Sequence, residues 1–147
     1  MEYLSHSVEE TEAIGETLAG KLSAGSVVAY RGTLGMGKTA FVRGMAQKLS
    51  PDAHVSSPTF ALVNDYGGSP PLVHFDMYRI SGWDDLDTTG FFEYQQQGAV
   101  LAVEWSENIE NALPEDKLIR IEIMRGETDD CRILRMSGDS VYEDSWR

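Results

Sequence analysis

Cysteine is almost missing: Cys131 is the only one in 147 residues. A lone thiol excludes an internal disulfide framework and a cysteine-based zinc site, fits a reducing cytosol, and reads as a small buried apolar side chain rather than a nucleophile. Long apolar runs are missing too. No stretch approaches the ~20 residues of a membrane span, and the opening MEYLSHSVEE has neither the basic segment nor the apolar core of a signal peptide. The expectation is a soluble, cytoplasmic protein with no membrane partner. Positive charge is scarce, with 12 Lys and Arg against 24 Asp and Glu and a formal net charge of −12. Such a field repels phosphate backbones and anionic membranes, so contact with nucleic acid calls for a local basic patch or a partner protein. There are no internal repeats.

The composition that remains is ordinary for a folded chain. With 41% apolar residues, one domain over residues 1–147 would bury roughly two-thirds of its unfolded surface. The charged tail from about Gly138 has the composition of a flexible end. Ser7 followed by Glu10 forms a capping box, and Ile14, Leu18 and Leu22 continue at helical spacing, predicting a helix from Val8 to about Ser23. Ser26 to Arg31 (SVVAYR) is a short apolar run rich in β-formers, the pattern of a strand covered on both faces. Lys38 to Leu49 presents Phe41, Val42, Met45, Ala46 and Leu49 on one helical face before Pro51.

Beyond it, His54 to Tyr66 reads as two extended pieces around a Ser-Ser-Pro-Thr turn, and Gly67 to Pro71 as a surface turn. Leu72 to Ile80 is strand-like. Asp84 to Gln97 reads as a helix whose continuity is weakened by Gly90 and the paired Thr88-Thr89, and the aromatic residues Trp83, Phe91, Phe92 and Tyr94 around it read as core rather than as a partner-facing patch. Ala99 to Trp105 (AVLAVEW) is a second buried-type strand ending in an acid. After an irregular connection through Pro114, KLIRIEIM and CRILRMS alternate like a paired antiparallel edge.

Between the first apolar strand and the helix from Lys38, Gly32, Gly37, Lys38 and Thr39 satisfy G-x-x-x-x-G-K-[ST] in register. Glycines let successive N–H groups turn inward and the helix adds its positive N-terminus. Lys38 reaches the β/γ-phosphates and Thr39 offers Mg²⁺ a hydroxyl. Such a site also needs a carboxylate for the metal at the end of a neighbouring strand. Asp76 ends LVHFD and Glu104 ends VLAVE, and both are expected around the metal. Asp76, Glu104 and Thr59 compete for orienting the attacking water. The guanine-reading Asn/Thr-Lys-x-Asp sequence is absent, which favours ATP. Arg79 and Arg43 are candidates for an arginine finger, although surface ion pairing is the commoner role. His74, with no histidine or cysteine cluster beside it, reads as an ordinary strand residue.

With Walker A, SSPTF, HFDMYR and VEWSE placed in this order, the chain resembles the TsaE family, formerly YjeE, over about Ser7 to Glu107. The resemblance implies a small α/β P-loop NTPase-type three-layer fold with a mixed, mainly parallel central sheet and an antiparallel edge. It implies a Mg²⁺-dependent ATPase that works with the TsaB–TsaD pair in threonylcarbamoyladenosine modification of tRNA, touching tRNA only through that complex. By position, Gly35, Gly37, Lys38 and Thr39 would contact phosphate and magnesium, Gly32 would open the turn, and Met36 and Ala40 would belong to the same nucleotide-binding stretch. Ser57 and Thr59 would lie near the γ-phosphate in a switch-like segment, Asp76 and Glu104 would be the acidic site residues, and Trp105 would join the nucleotide environment. Thr33 and Met36 depart from the acid and the small residue the family usually has there. A P-loop small-molecule kinase and a nucleotide-gated binding module without useful turnover are the alternatives; a kinase would call for an acceptor pocket and an arginine-rich lid, and neither is evident.

Overall fold

A computed structural model of the chain describes residues 2–31, 37–53, 55 and 63–138. The glycine loop residues 32–36, the Ser-Ser-Pro-Thr segment and the tail from 139 lie outside the described residues. The elements run β1 (Glu2–Ser5), α1 (Val8–Ala19), β2 (Val27–Arg31), α2 (Lys38–Leu49), β3 (Val63–Gly68), β4 (Pro71–Asp76), α3 (Trp83–Thr88), α4 (Phe91–Gln96), β5 (Val100–Glu104), a 3-10 segment (Ser106–Ala112), β6 (Leu118–Arg125) and β7 (Arg132–Gly138).

The strands form one mixed sheet in the order β1-β7-β6-β2-β5-β4-β3. Its centre, β6-β2-β5-β4, is parallel. The expected antiparallel edge of β6 and β7 is present, extended by β1, and β3 adds a second antiparallel edge beside β4. The two most apolar strands, β2 and β5, lie side by side in the middle, where helices cover both faces. Val27, Val28, Ala29, Val100, Leu101 and Val103 are all 0% exposed. Each such valine or leucine stabilises the fold by about 1.5–3 kcal/mol relative to exposure. One face packs Val28, Tyr30, Leu72 and Ala102 beneath Phe41, Met45 and Leu18 of α2 and α1. The other packs Val27, Phe75, Leu101 and Val103 against Leu86, Phe91 and Ile109. These are the three layers.

Several local expectations change in detail. The α1 cap forms as read, with Glu10 N–H donating to Ser7 Oγ at 3.0 Å, but the reciprocal Glu10 carboxylate accepts from His6 N–H at 2.7 Å, one residue earlier than in a standard capping box. The helix stops at Ala19 rather than near Ser23, because Lys21 and Leu22 bond back only three residues, to Leu18 and Ala19, and tighten the last turn. β4 ends at Asp76: its Oδ1 accepts the Tyr78 N–H at 3.0 Å and turns the chain before Ile80. The break at Gly90 is real. Its φ of +80° ends one helical piece and begins another. Of the aromatic residues there, Phe91 is core, Phe92 and Tyr94 pack along its margin, and Trp83 is 59% exposed with its ring stacked on Phe92 at 5.6 Å. The core reading therefore fails for Trp83. Cys131 is buried, as expected of a small apolar residue. No helix among the described residues is long and apolar enough to cross a membrane.

Helices α1 and α2 touch backbone to backbone. A Cβ on Gly44 would stand 1.9 Å from Glu12 O, and one on Gly15 2.3 Å from Phe41 O. An ion pair between Arg43 and Glu12, 2.8 Å long, crosses the same contact. In this structure Arg43 takes the surface ion-pair role. Gly44→Ala is expected to force the helices apart and lower stability by about 3 kcal/mol, the upper end of ordinary overpacking, because backbone cannot step aside as a side-chain tip can. Urea unfolding measures it; a change under about 0.5 kcal/mol, the size of a neutral surface substitution, would contradict it.

Candidate functional site

Parallel strands deliver their C-terminal ends to one edge of the sheet, and connections there are where α/β proteins build sites. β4 ends in Asp76, β5 in Glu104 and β2 in Arg31, with Asp76 and Glu104 direct partners in the β4–β5 register. The ladder continues one residue further, Met77 N–H donating to Glu104 O at 3.0 Å. α2 begins at Lys38. Gly37 before it has φ +97°, a left-handed conformation that disfavours any residue with a Cβ, and supplies no side-chain cap. Its carbonyl accepts the first helical bond from Phe41 N–H at 3.0 Å. The start of α2 thus offers an anion the positive end of a helix dipole.

Lys38 is 2% exposed and Glu104 is 4% exposed. Lys38 Nζ lies 3.8 Å from Glu104 Oε1 and 5.7 Å from the centre of the Trp105 ring, a cation held between a carboxylate and an aromatic face. Glu104 Oε2 lies 2.9 Å from Nε2 of His74, which is fully buried in β4. That separation is a hydrogen bond's, but among the described residues neither ring nitrogen has a partner in hydrogen-bond geometry. Trp105 takes φ +57° and ψ +42°, costly for a bulky side chain, where strand β5 gives way to the 3-10 segment. Its neighbours hold it there. Ser106 Oγ donates to Tyr30 O at 3.1 Å, Tyr78 packs on the indole with centroids 5.0 Å apart, and Asn108 Nδ2 donates to Met77 O at 2.8 Å. The indole N–H is buried and has no hydrogen-bond partner among the described residues. Below, burial pushes the Tyr30 phenol well above its ordinary range and the Glu104 charge adds to this, so its hydroxyl stays protonated and donates to Met45 Sδ at 3.2 Å.

The structure therefore brings Lys38, Glu104 and Trp105 together, sets Asp76 beside Glu104, and keeps Thr39 half-buried on the first turn of α2. Ala40 is 8% exposed and belongs to the buried side of that turn. Gly32, Gly35, Met36, Ser57 and Thr59 lie outside the described residues. Arg79 is exposed, three residues beyond Asp76. His74, read from the sequence as an ordinary strand residue, lies buried in β4 on the face that carries Asp76, since residues two apart in a strand share a face.

The site suits a nucleotide with magnesium. A buried lysine follows a left-handed glycine, the adjoining tryptophan carries a buried N–H with no partner among the described residues, and two carboxylates end neighbouring strands. No group of three or more His, Cys, Asp or Glu gathers as a metal cage among the described residues.

The sequence and fold have known relatives. The family model described as threonylcarbamoyl adenosine biosynthesis protein TsaE matches residues 5–134, reaching into β7 and well past the motifs that end at Glu107. The tRNA threonylcarbamoyladenosine biosynthesis protein TsaE of Bacillus subtilis is 38% identical over 136 residues, covering 92% of this chain and 84% of that protein. Its counterpart in Aquifex aeolicus is also 38% identical, over 138 residues, covering 91% and 96%. The crystal structure of Bacillus subtilis YdiB superposes with a TM-score of 0.76 at 32% identity, over 98% of this chain and 89% of that one. With a family match across most of its length, relatives this similar and the same arrangement of elements, the chain belongs to the TsaE family.

Proposed function

We propose that this protein binds ATP with Mg²⁺ at the Lys38–Glu104 edge and hydrolyses it, serving threonylcarbamoyladenosine biosynthesis on tRNA by cycling the TsaB–TsaD complex. The observation that carries the reading is the buried Lys38 ammonium at the start of α2, 3.8 Å from a carboxylate whose strand neighbour is a second carboxylate. In phosphoryl transfer a protein mainly positions groups and balances charge. Lys38 leaves Glu104 for the β/γ-phosphate oxygens, the α2 N-terminus receives phosphate, and Trp105 walls the site. Thr39, Asp76 and Glu104 would hold Mg²⁺, which when bound neutralises phosphate charge. Glu104, buried and freed of Lys38, is placed to orient the attacking water.

Partner dependence follows from the arginines. Arg43 pairs with Glu12 and Arg79 lies exposed beyond Asp76, which supports a finger supplied by a partner. An absent arginine finger costs roughly 10³ to 10⁵ in rate. The acidic surface also favours recruitment to tRNA through proteins over direct capture. The test is magnesium-dependent ATP hydrolysis by the purified chain, alone and with TsaB–TsaD. Slow turnover that the partners stimulate is expected. Bound ATP remaining intact under both conditions would replace this reading with a nucleotide-gated binding module, and phosphate appearing on a metabolite would replace it with a kinase.

A further inference from the structure

We infer that His74 is a positioning residue for Glu104, holding its carboxylate at the strand end once Lys38 has turned to phosphate; this rests on the nucleotide reading above. The imidazole sits in the centre of β4 with 0% exposure, on the face that carries Asp76 two residues on. A buried ring whose two nitrogens lack aligned partners costs free energy, and native structures tolerate this chiefly where the group has a task. Packing alone does not call for it. The Tyr66 ring, 6.5 Å away between centroids, is a neighbour that phenylalanine would serve equally well.

The two oxygens of Glu104 face different partners. Oε1 faces Lys38 at 3.8 Å and Oε2 faces His74 at 2.9 Å. When the ammonium moves to an anion, Glu104 keeps His74 as the polar side chain within hydrogen-bond distance. A small rotation of the carboxylate then brings Oε2 onto the ring N–H. Nε2 donates both in the neutral ring protonated there and in the imidazolium, so the assignment depends on reach and not on titration. The role is that of an outer partner that orients a ligating or water-orienting carboxylate.

Two variants separate positioning from packing. His74→Leu keeps comparable apolar bulk without a donor, whereas His74→Gln carries an amide N–H close to the place of Nε2. His74→Leu is expected to lower kcat about 10–100-fold with KM for ATP unchanged, as for orienting partners of ligating side chains. His74→Gln is expected to recover most of it. In a Glu104→Gln background, His74→Leu should add nothing further, because it acts only through that carboxylate. Equal losses in the two variants, or full additivity with Glu104→Gln, would overturn the assignment. A second arm needs no nucleotide. In urea unfolding of the ligand-free Lys38→Met chain, in which Glu104 has lost the ammonium, His74→Leu and Glu104→Gln are expected to shift the midpoint non-additively, and additive shifts would overturn the pairing. Non-additive unfolding in a chain without turnover would leave His74 tied to Glu104 and count against the ATPase reading alone.

Discussion

Lys38→Met is expected to lower magnesium-dependent ATP hydrolysis by about 10³-fold, the order of loss when one preorganised charge-stabilising group is removed from an active site. Methionine keeps most of the apolar stem, so the loss belongs to the ammonium. Arg43 is paired with Glu12 and Arg79 is on the exposed turn, so neither is expected to stand in for it. The same substitution acts on the ligand-free fold. Glu104 has a side chain only 6% exposed and would lose its nearest positive charge. Breaking a buried pair from one side typically costs about 3–5 kcal/mol. The 3.8 Å separation and the remaining His74 contact place this case at the lower end, about 3 kcal/mol. Adding Glu104→Gln removes the stranded charge and should restore most of the stability and none of the activity. Urea unfolding and a phosphate-release assay on the two variants read these separately. Full hydrolysis by Lys38→Met would sink the catalytic reading, and unchanged stability would show that Glu104 does not depend on the ion pair.

Glu104→Gln should lower kcat by about 10² to 10⁴, the span of general-base and water-orienting groups, and should also lower the stability of the ligand-free protein by about 3 kcal/mol, because the buried Lys38 ammonium then loses its carboxylate. Asp76→Asn should act differently. One Asp76 oxygen already accepts the Tyr78 N–H, and an asparagine carbonyl can keep that bond, so the turn survives and only the charge is lost. The expected result is a higher magnesium requirement with a smaller fall in saturated turnover. Magnesium titrations of ATP hydrolysis decide. Glu104→Gln retaining turnover while Asp76→Asn loses it would exchange the two roles, and retention by both would leave Thr59 as the water-orienting candidate.

How far the chain could be read in advance followed the range of the interactions involved. Helix α2 was legible to the residue, from Lys38 to Leu49, because its apolar face repeats within one helix and its start is marked by glycine and its stop by the break before Pro51. Strands β2 and β5 were legible for a similar reason, being continuous apolar runs with acids or loops at their ends. β1 was not. Four residues of Glu2–Ser5, exposed or half-covered for most of their length, become a strand only through antiparallel pairing with Arg132 to Arg135. The exposed position of Trp83 likewise depends on how α3 sits against α4 after Gly90, which residue type alone does not encode.

The same division runs through the site. Glycine spacing, the lysine and threonine that follow, and an acid ending each of two strands are local properties of the chain, and from them came the nucleotide, the magnesium and the family resemblance. Their mutual arrangement is long-range. Lys38 meets Glu104 across 66 residues through the parallel pairing of β2 with β5 and the packing of α2, and His74 meets it across 30 through the register of β4 with β5. A shift of that register by one residue would turn Glu104 to the opposite face of the sheet. Side-chain chemistry could therefore be read from composition and spacing, whereas the proximity that joins Lys38, Glu104 and His74 waited on strand pairing and on the packing of α2 over the sheet.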